Sequence, residues 1–113
     1  MIKIYHNARC SKSRQGLELL KNSGKDFEVV KYLEDSPSKE TLQKIIDYLG
    51  IAPEALIRKN EVIWKEKFRG KALTDDEILN AMLQYPKLIE RPIVVNGNKA
   101  VIGRPVENIN KII

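Results

Sequence analysis

The chain predicts an α/β protein, with a small mixed four-stranded sheet, flanking helices and a helical insertion at about residues 36–86 of a single domain over residues 1–113. Three observations carry this. A strand, a helix and a second strand follow one another within about 30 residues at the N-terminus, which is the pattern of a βαβ unit. Asn96-Gly97 sits between two β-branched runs near the C-terminus, a strong local hairpin signal. Between these two regions the apolar residues recur only at helical spacing.

Ile2-Lys3-Ile4-Tyr5 alternates apolar and polar residues and reads as the first strand. Residues 11–23 read as a helix with Leu17 and Leu20 facing inward, ended by Gly24. Residues 27–32, Phe-Glu-Val-Val-Lys-Tyr, read as a second strand, which a right-handed crossover places parallel to the first. Ser36-Pro37-Ser38 opens a new section. Leu42, Ile45, Ile46 and Leu49 mark one face of a helix that Gly50 stops. Pro53-Glu54-Ala55-Leu56 suggests a short further helix. Residues 60–71 are polar and weakly patterned, with Trp64 and Phe68 as their only large apolar groups, for which packing is the expected role. Thr74-Asp75-Asp76-Glu77 is a capping box ahead of Ile78, Leu79, Met82 and Leu83. Residues 92–95 and 100–102 form the hairpin strands, with residues 96–99 as the turn. Arg104-Pro105 then opens a last helix, with Pro105 suited to its first turn and Val106, Ile109 and Ile113 facing inward.

Composition narrows the function classes. A chain of 113 residues builds one domain with one core. No apolar run approaches the roughly 20 residues of a membrane span, so no membrane partner is expected. The N-terminus runs directly into a strand without a signal-peptide pattern. The single cysteine excludes an internal disulfide, and a reducing, cytoplasmic setting is the expectation. The net charge of +5 comes from scattered basic residues interleaved with acidic ones, which speaks against a nucleic-acid surface. Cys10 and His6 cannot complete a zinc site, no glycine-rich phosphate loop is present, and nothing suggests a bound cofactor.

The chemistry-bearing residue is Cys10. It sits where the first strand turns into the first helix, flanked by Arg9, Lys12 and Arg14. Free N–H groups of a helix start and nearby cations both favour thiolate, the nucleophilic form. The alternative is a small buried hydrophobe. Ser11 and Ser13 offer hydroxyls, or plain helix capping, and Arg14 offers charge one turn on. His6 ends the preceding strand, near enough to act electrostatically or to have no role. Arg58, Arg91 and Arg104 stand at element boundaries. Arg91 and Arg104 lie at the two ends of the hairpin, which places them close in space, and arginine forks suit tetrahedral oxyanions. Each alone reads more readily as a surface ion pair, and it is their shared placement that points to function.

These segments together resemble a known family. His6-Asn7-Ala8-Arg9-Cys10-Ser11-Lys12-Ser13-Arg14, Leu56-Ile57-Arg58-Lys59-Asn60, Leu88-Ile89-Glu90-Arg91-Pro92-Ile93-Val94-Val95 and Ile102-Gly103-Arg104-Pro105 are similar to the glutaredoxin-dependent arsenate reductases. The likeness covers essentially the whole chain and points to a short branch of that thioredoxin-like family. It implies that Cys10 is the nucleophile forming a thiol–arsenate adduct, that Arg58, Arg91 and Arg104 stabilise the oxyanion and the arsenic–sulfur intermediates, and that His6 favours the thiolate. Ser11, Ser13, Arg14 and Pro92 would border the substrate, with Pro92 as a cis-proline facing the active site. A two-electron reduction needs two thiols and this chain has one, so the other comes from outside. In the family it is glutathione, a co-substrate, with glutaredoxin then attacking the mixed disulfide. The chain departs from the best-known members at Ser11-Lys12, where they carry Gly-Thr, and at Gly103, where they carry cysteine. Two other functions fit the same fold: another glutathione-linked thiol oxidoreductase, or an Spx-type RNA polymerase-binding regulator, whose usual Cys-x-x-Cys switch is missing because Ser13 holds the second position.

Overall fold

A computed structural model describes residues 1–113. The chain divides into two compact units, one made of Met1–Asp35 with Arg91–Ile113, the other of Ser36–Glu90. The sequence placed the end of the insertion at about residue 86. The second unit runs on to Glu90 because the Leu56–Arg58 and Leu88–Glu90 segments lie side by side. Arg58 N–H donates to the Leu88 carbonyl at 2.7 Å and Glu90 N–H to the Leu56 carbonyl at 2.9 Å.

The first unit holds a four-stranded sheet in the order β2-β1-β3-β4. Strand β1 is Ile2–Tyr5 and β2 is Phe27–Val30, and they pair in parallel with Ile4 opposite Val29. Strand β3, Ile93–Asn96, pairs antiparallel with β1, and β4, Lys99–Ile102, pairs antiparallel with β3. The sheet is therefore mixed, as the βαβ pattern and the hairpin together required. Helix α1, Ser11–Asn22, supplies the crossover between β1 and β2. Ile2 and Ile4 of β1, Val94 of β3, Leu20 of α1 and Ile109 near the C-terminus form the buried core, with Leu17, Val101 and Val106 packed against it.

Three details differ from the sequence reading. The second strand stops at Val30, with Lys31 onward forming a turn. The hairpin loop is only Gly97-Asn98, since Asn96 and Lys99 still pair across the strands. Gly97 has φ +63°, the glycine-first pattern of a type II′ turn, whose twist matches the strands it joins. The last helix is a 3-10 helix, Val106–Lys111, and Pro105 is its N-cap residue, one position before the first turn. Ile109 is still fully buried there.

The second unit is helical. Helix α2, Lys39–Leu49, is capped by the Ser38 hydroxyl accepting from Thr41 N–H, and is closed by Gly50 at φ +68°. Helix α4, Asp75–Gln84, carries the complete capping box between Thr74 and Glu77. Leu42, Ile45 and Ile46 of α2, and Ile78, Leu79 and Met82 of α4, are buried. Between them lies a helix that the weak patterning did not reveal, α3, Val62–Lys67. It is short and only Trp64 is buried on it, so no apolar stripe could show. Trp64 stacks on Phe68 at 5.6 Å between centroids, and Phe68 meets Tyr85 edge-on at 6.0 Å. Both aromatics therefore serve packing.

Candidate functional site

Cys10 is the N-cap residue of α1, with extended backbone at φ −95° and ψ 123°. The loop Asn7–Arg9 makes it so. Cys10 N–H donates to the Asn7 carbonyl at 3.0 Å, and the Asn7 side-chain oxygen accepts from Arg9 N–H at 3.0 Å. Arg14 N–H then closes the first helical turn on the Cys10 carbonyl at 3.0 Å. This compact turn hands the chain from strand to helix with the thiol at the helix start. The sulfur is partly exposed and unpaired with any other cysteine.

Several groups face that sulfur. The Arg104 guanidinium donates to Cys10 Sγ at 3.3 Å, and its Nε donates to the Arg91 carbonyl at 2.7 Å. Partial burial raises the thiol pKa, but this is outweighed. The N–H of Ser13, the Arg91 guanidinium and the N–H of Lys12 hold it below its ordinary value. The sulfur closes no conventional cap hydrogen bond, so the helix N–H groups act on it as dipoles.

The serines divide differently from their sequence reading. The Ser13 hydroxyl does not cap the helix or face the thiol. It is fully buried, lies 2.6 Å from His6 Nδ1 and accepts from Asn7 N–H at 3.0 Å. Ser11 is exposed at the first helical position. His6 is buried, and burial is the main reason its pKa falls below the ordinary value, with Lys31, Arg14 and Lys21 adding like charge against the Ser13 contact. The lowered pKa favours the neutral ring at pH 7, with Nδ1 and the Ser13 hydroxyl joined by a short hydrogen bond. Any action of His6 on the thiol at that pH is positional, through Ser13 and the loop, and does not come from a cationic ring. Arg14 donates to the Ala8 carbonyl at 3.0 Å, which fastens the loop from the helix side.

Arg91 and Arg104 lie close together, as their places at the hairpin ends implied, and the fold sets both beside Cys10. Pro92 follows Arg91 through a cis peptide bond, and the Arg104-Pro105 bond is also cis. The Pro92 ring packs where side chains are absent. A Cβ at Gly16 would lie 3.0 Å from Pro92 Cγ, and one at Gly103 would lie 2.9 Å from it. Arg58 belongs to the Ser36–Glu90 unit, where its guanidinium pairs with Glu90 at 2.8 Å and Glu61 at 3.5 Å. The antiparallel contact between Ile57 and Ile89 sets that pairing. The sequence reading passed over Asn7, although asparagine before a helix is a recognised turn-former.

Comparison with known proteins adds the following. Residues 5–112 match the model of the ArsC family. The chain is 43% identical to the arsenate reductase of Neisseria meningitidis over 99% of this chain and 97% of that protein. It is 45% identical to the Escherichia coli K12 protein YfgD, described as uncharacterized, over 99% of this chain and 96% of the relative. Among solved structures, the arsenate reductase from Vibrio cholerae superposes with a TM-score of 0.95 at 46% identity, covering 99% of this chain and 97% of that one.

Proposed function

Because the chain belongs to the ArsC family, we propose that it reduces arsenate to arsenite through a covalent adduct on Cys10, with glutathione as co-substrate and glutaredoxin as its partner. The observation that carries this is the Arg104 guanidinium 3.3 Å from a thiol whose pKa is already held down. A cation beside the sulfur stabilises the thiolate and also gives an oxyanion a place to dock. The names of the Neisseria and Vibrio relatives supply the oxyanion.

In this reading Arg91 and Arg104 hold the arsenate oxygens while the Cys10 thiolate attacks arsenic. A sulfur–arsenic(V) bond forms and one arsenate oxygen leaves as water after protonation. Glutathione then attacks the Cys10 sulfur. The sulfur–arsenic bond breaks and its electron pair stays on arsenic, which leaves as arsenite, arsenic(III). Cys10 remains in a mixed disulfide with glutathione, each sulfur having given up one electron. Glutaredoxin takes over that glutathione by thiol–disulfide exchange and releases the Cys10 thiolate. Arg58 carries the role that the family resemblance assigns it, stabilising the oxyanion and its adducts; Ser11, Arg14 and Pro92 border the reacting centre, and Ser13 does so through its backbone N–H while its hydroxyl holds His6. The thiol chemistry calls for a reducing cytoplasm. No helix of the protein is long and apolar enough to cross a membrane.

A coupled assay tests the proposal. Arsenate, glutathione, glutaredoxin, glutathione reductase and NADPH are supplied, and NADPH loss is followed. Wild type gives an arsenate-dependent rate that disappears in Cys10→Ser. An arsenate-independent rate on a low-molecular-weight disulfide would instead identify a general thiol oxidoreductase. No rate without a different thiol protein would replace glutaredoxin as the partner.

A further inference from the structure

Arg104 reaches the thiol from a turn, and turns do not hold long side chains in place by themselves. Its turn is fixed by a residue that carries no charge. Asn108 lies in the 3-10 helix Val106–Lys111, where its own N–H donates to the Pro105 carbonyl at 3.0 Å. Its side-chain amide donates to two carbonyls, that of Arg104 at 3.1 Å and that of Ile102 at 3.3 Å. Both neighbours are acceptors, so only the NH2 end of the amide can face them. Between those carbonyls stands Gly103, whose N–H donates to the Pro92 carbonyl at 2.8 Å. The segment 102–104 is thereby fastened at three successive residues, and two of the three fastenings come from one side chain.

We propose that Asn108 is a positioning residue for the thiol site, fixing the backbone of residues 102–104 so that the Arg104 guanidinium stands at once on the Arg91 carbonyl and on Cys10 Sγ. The inference deepens the function proposed above and rests on it for the oxyanion role of Arg104. Without the Asn108 amide, the carbonyls of Ile102 and Arg104 are left to water and the Arg104 Cα is free to shift. A guanidinium set 3.3 Å from sulfur loses its hydrogen bond when displaced by an ångström or two, and its charge attraction weakens with distance. Ile109, which packs beneath Gly103, supplies contact but no donor to these carbonyls.

The test uses Asn108→Leu, which keeps the bulk and removes the donors, and Asn108→Ala as a second variant should the leucine fail to fold. Iodoacetamide alkylation of Cys10 is followed against pH in wild type, Asn108→Leu, Arg104→Ala and the double variant, alongside KM and kcat for arsenate. Asn108→Leu shifts the alkylation midpoint upward, towards that of Arg104→Ala. It raises KM about tenfold, the size of one lost charge-assisted hydrogen bond, with a smaller change in kcat. In the Arg104→Ala background it adds no further shift. A folded Asn108 variant with the wild-type midpoint overturns the proposal. So does a shift of equal size with and without Arg104, which marks a merely structural role. If wild type turns over no arsenate, the function proposed above falls, while the alkylation midpoints still decide the role of Asn108.

Discussion

The Arg104 guanidinium donates to Cys10 Sγ across 3.3 Å, although the two residues are 94 positions apart in the chain. The contact spans the whole of the first unit's topology. Cys10 is placed by the end of β1 and the start of α1, and Arg104 by the end of β4. Strand β3 lies between β1 and β4 and carries Arg91 at its entry, so one end of the sheet collects the thiol and both arginines. The expected consequence is a thiol with its pKa below the ordinary 9.0. Replacing Arg104 by alanine raises it, because a cationic donor beside the sulfur is removed. The pH dependence of iodoacetamide alkylation measures both values. Because the folded pKa is the depressed one, the linked stability is present above the unfolded value and lost as pH falls through the folded value.

His6 predicts a second pH dependence of the same sign. Its folded pKa lies below the ordinary 6.5. Between the folded value and 6.5 the unfolded chain binds the extra proton, so stability falls as pH drops through that window and levels off beneath it. Urea unfolding at pH 7 and pH 5 in wild type and His6→Gln measures this. The wild type loses more stability on acidification than the variant does, and equal losses would refute a buried neutral ring.

The packing around Pro92 predicts an asymmetry between two glycines. An added Cβ comes within 3.0 Å of Pro92 Cγ at Gly16 and within 2.9 Å at Gly103. Gly16 lies inside α1, where alanine recovers about 1 kcal/mol of helix propensity. Gly103 lies outside any helix and recovers nothing. Gly103→Ala is therefore expected to destabilise by about 1–3 kcal/mol, the usual size of overpacking, and Gly16→Ala by less. Denaturant midpoints of the two variants decide the order.

In the second unit the Thr74 cap predicts an ordinary cost. The Thr74 hydroxyl accepts from Glu77 N–H and the Glu77 carboxylate accepts from Thr74 N–H. Thr74→Ala removes half of this box and is expected to cost about 1 kcal/mol. Thermal unfolding followed by circular dichroism checks it, and Thr74→Ser is expected to retain the wild-type value.

Much of this was legible in the sequence because it rests on local signals. Periodicity placed β1, α1, α2 and α4, Thr74 and Glu77 marked a helix start, and Asn96-Gly97 marked the hairpin whose ends bring Arg91 and Arg104 together. Helix α3 was not legible, because one buried residue on six leaves no stripe to read. The last helix looked like an α-helix because Val106, Ile109 and Ile113 recur at a spacing that a 3-10 helix shares closely enough over one short run. Ser13 looked like a hydroxyl donor for the thiol or a plain cap, because serine near a helix start usually serves one or the other. Its use by His6 depends on the strand that ends beside it, a tertiary fact. Asn108 gave no signal at all, since its two acceptors are backbone carbonyls, which every residue has.

The central claim, that Cys10 reduces arsenate with electrons from external thiols, is tested most directly by separating arsenate from arsenite after incubation with the enzyme, glutathione and glutaredoxin. Wild type is predicted to convert arsenate to arsenite with one glutathione disulfide formed per arsenite, and Cys10→Ser to form none above the enzyme-free background. Arsenite formed equally well by Cys10→Ser, or no arsenite formed by wild type, would contradict it.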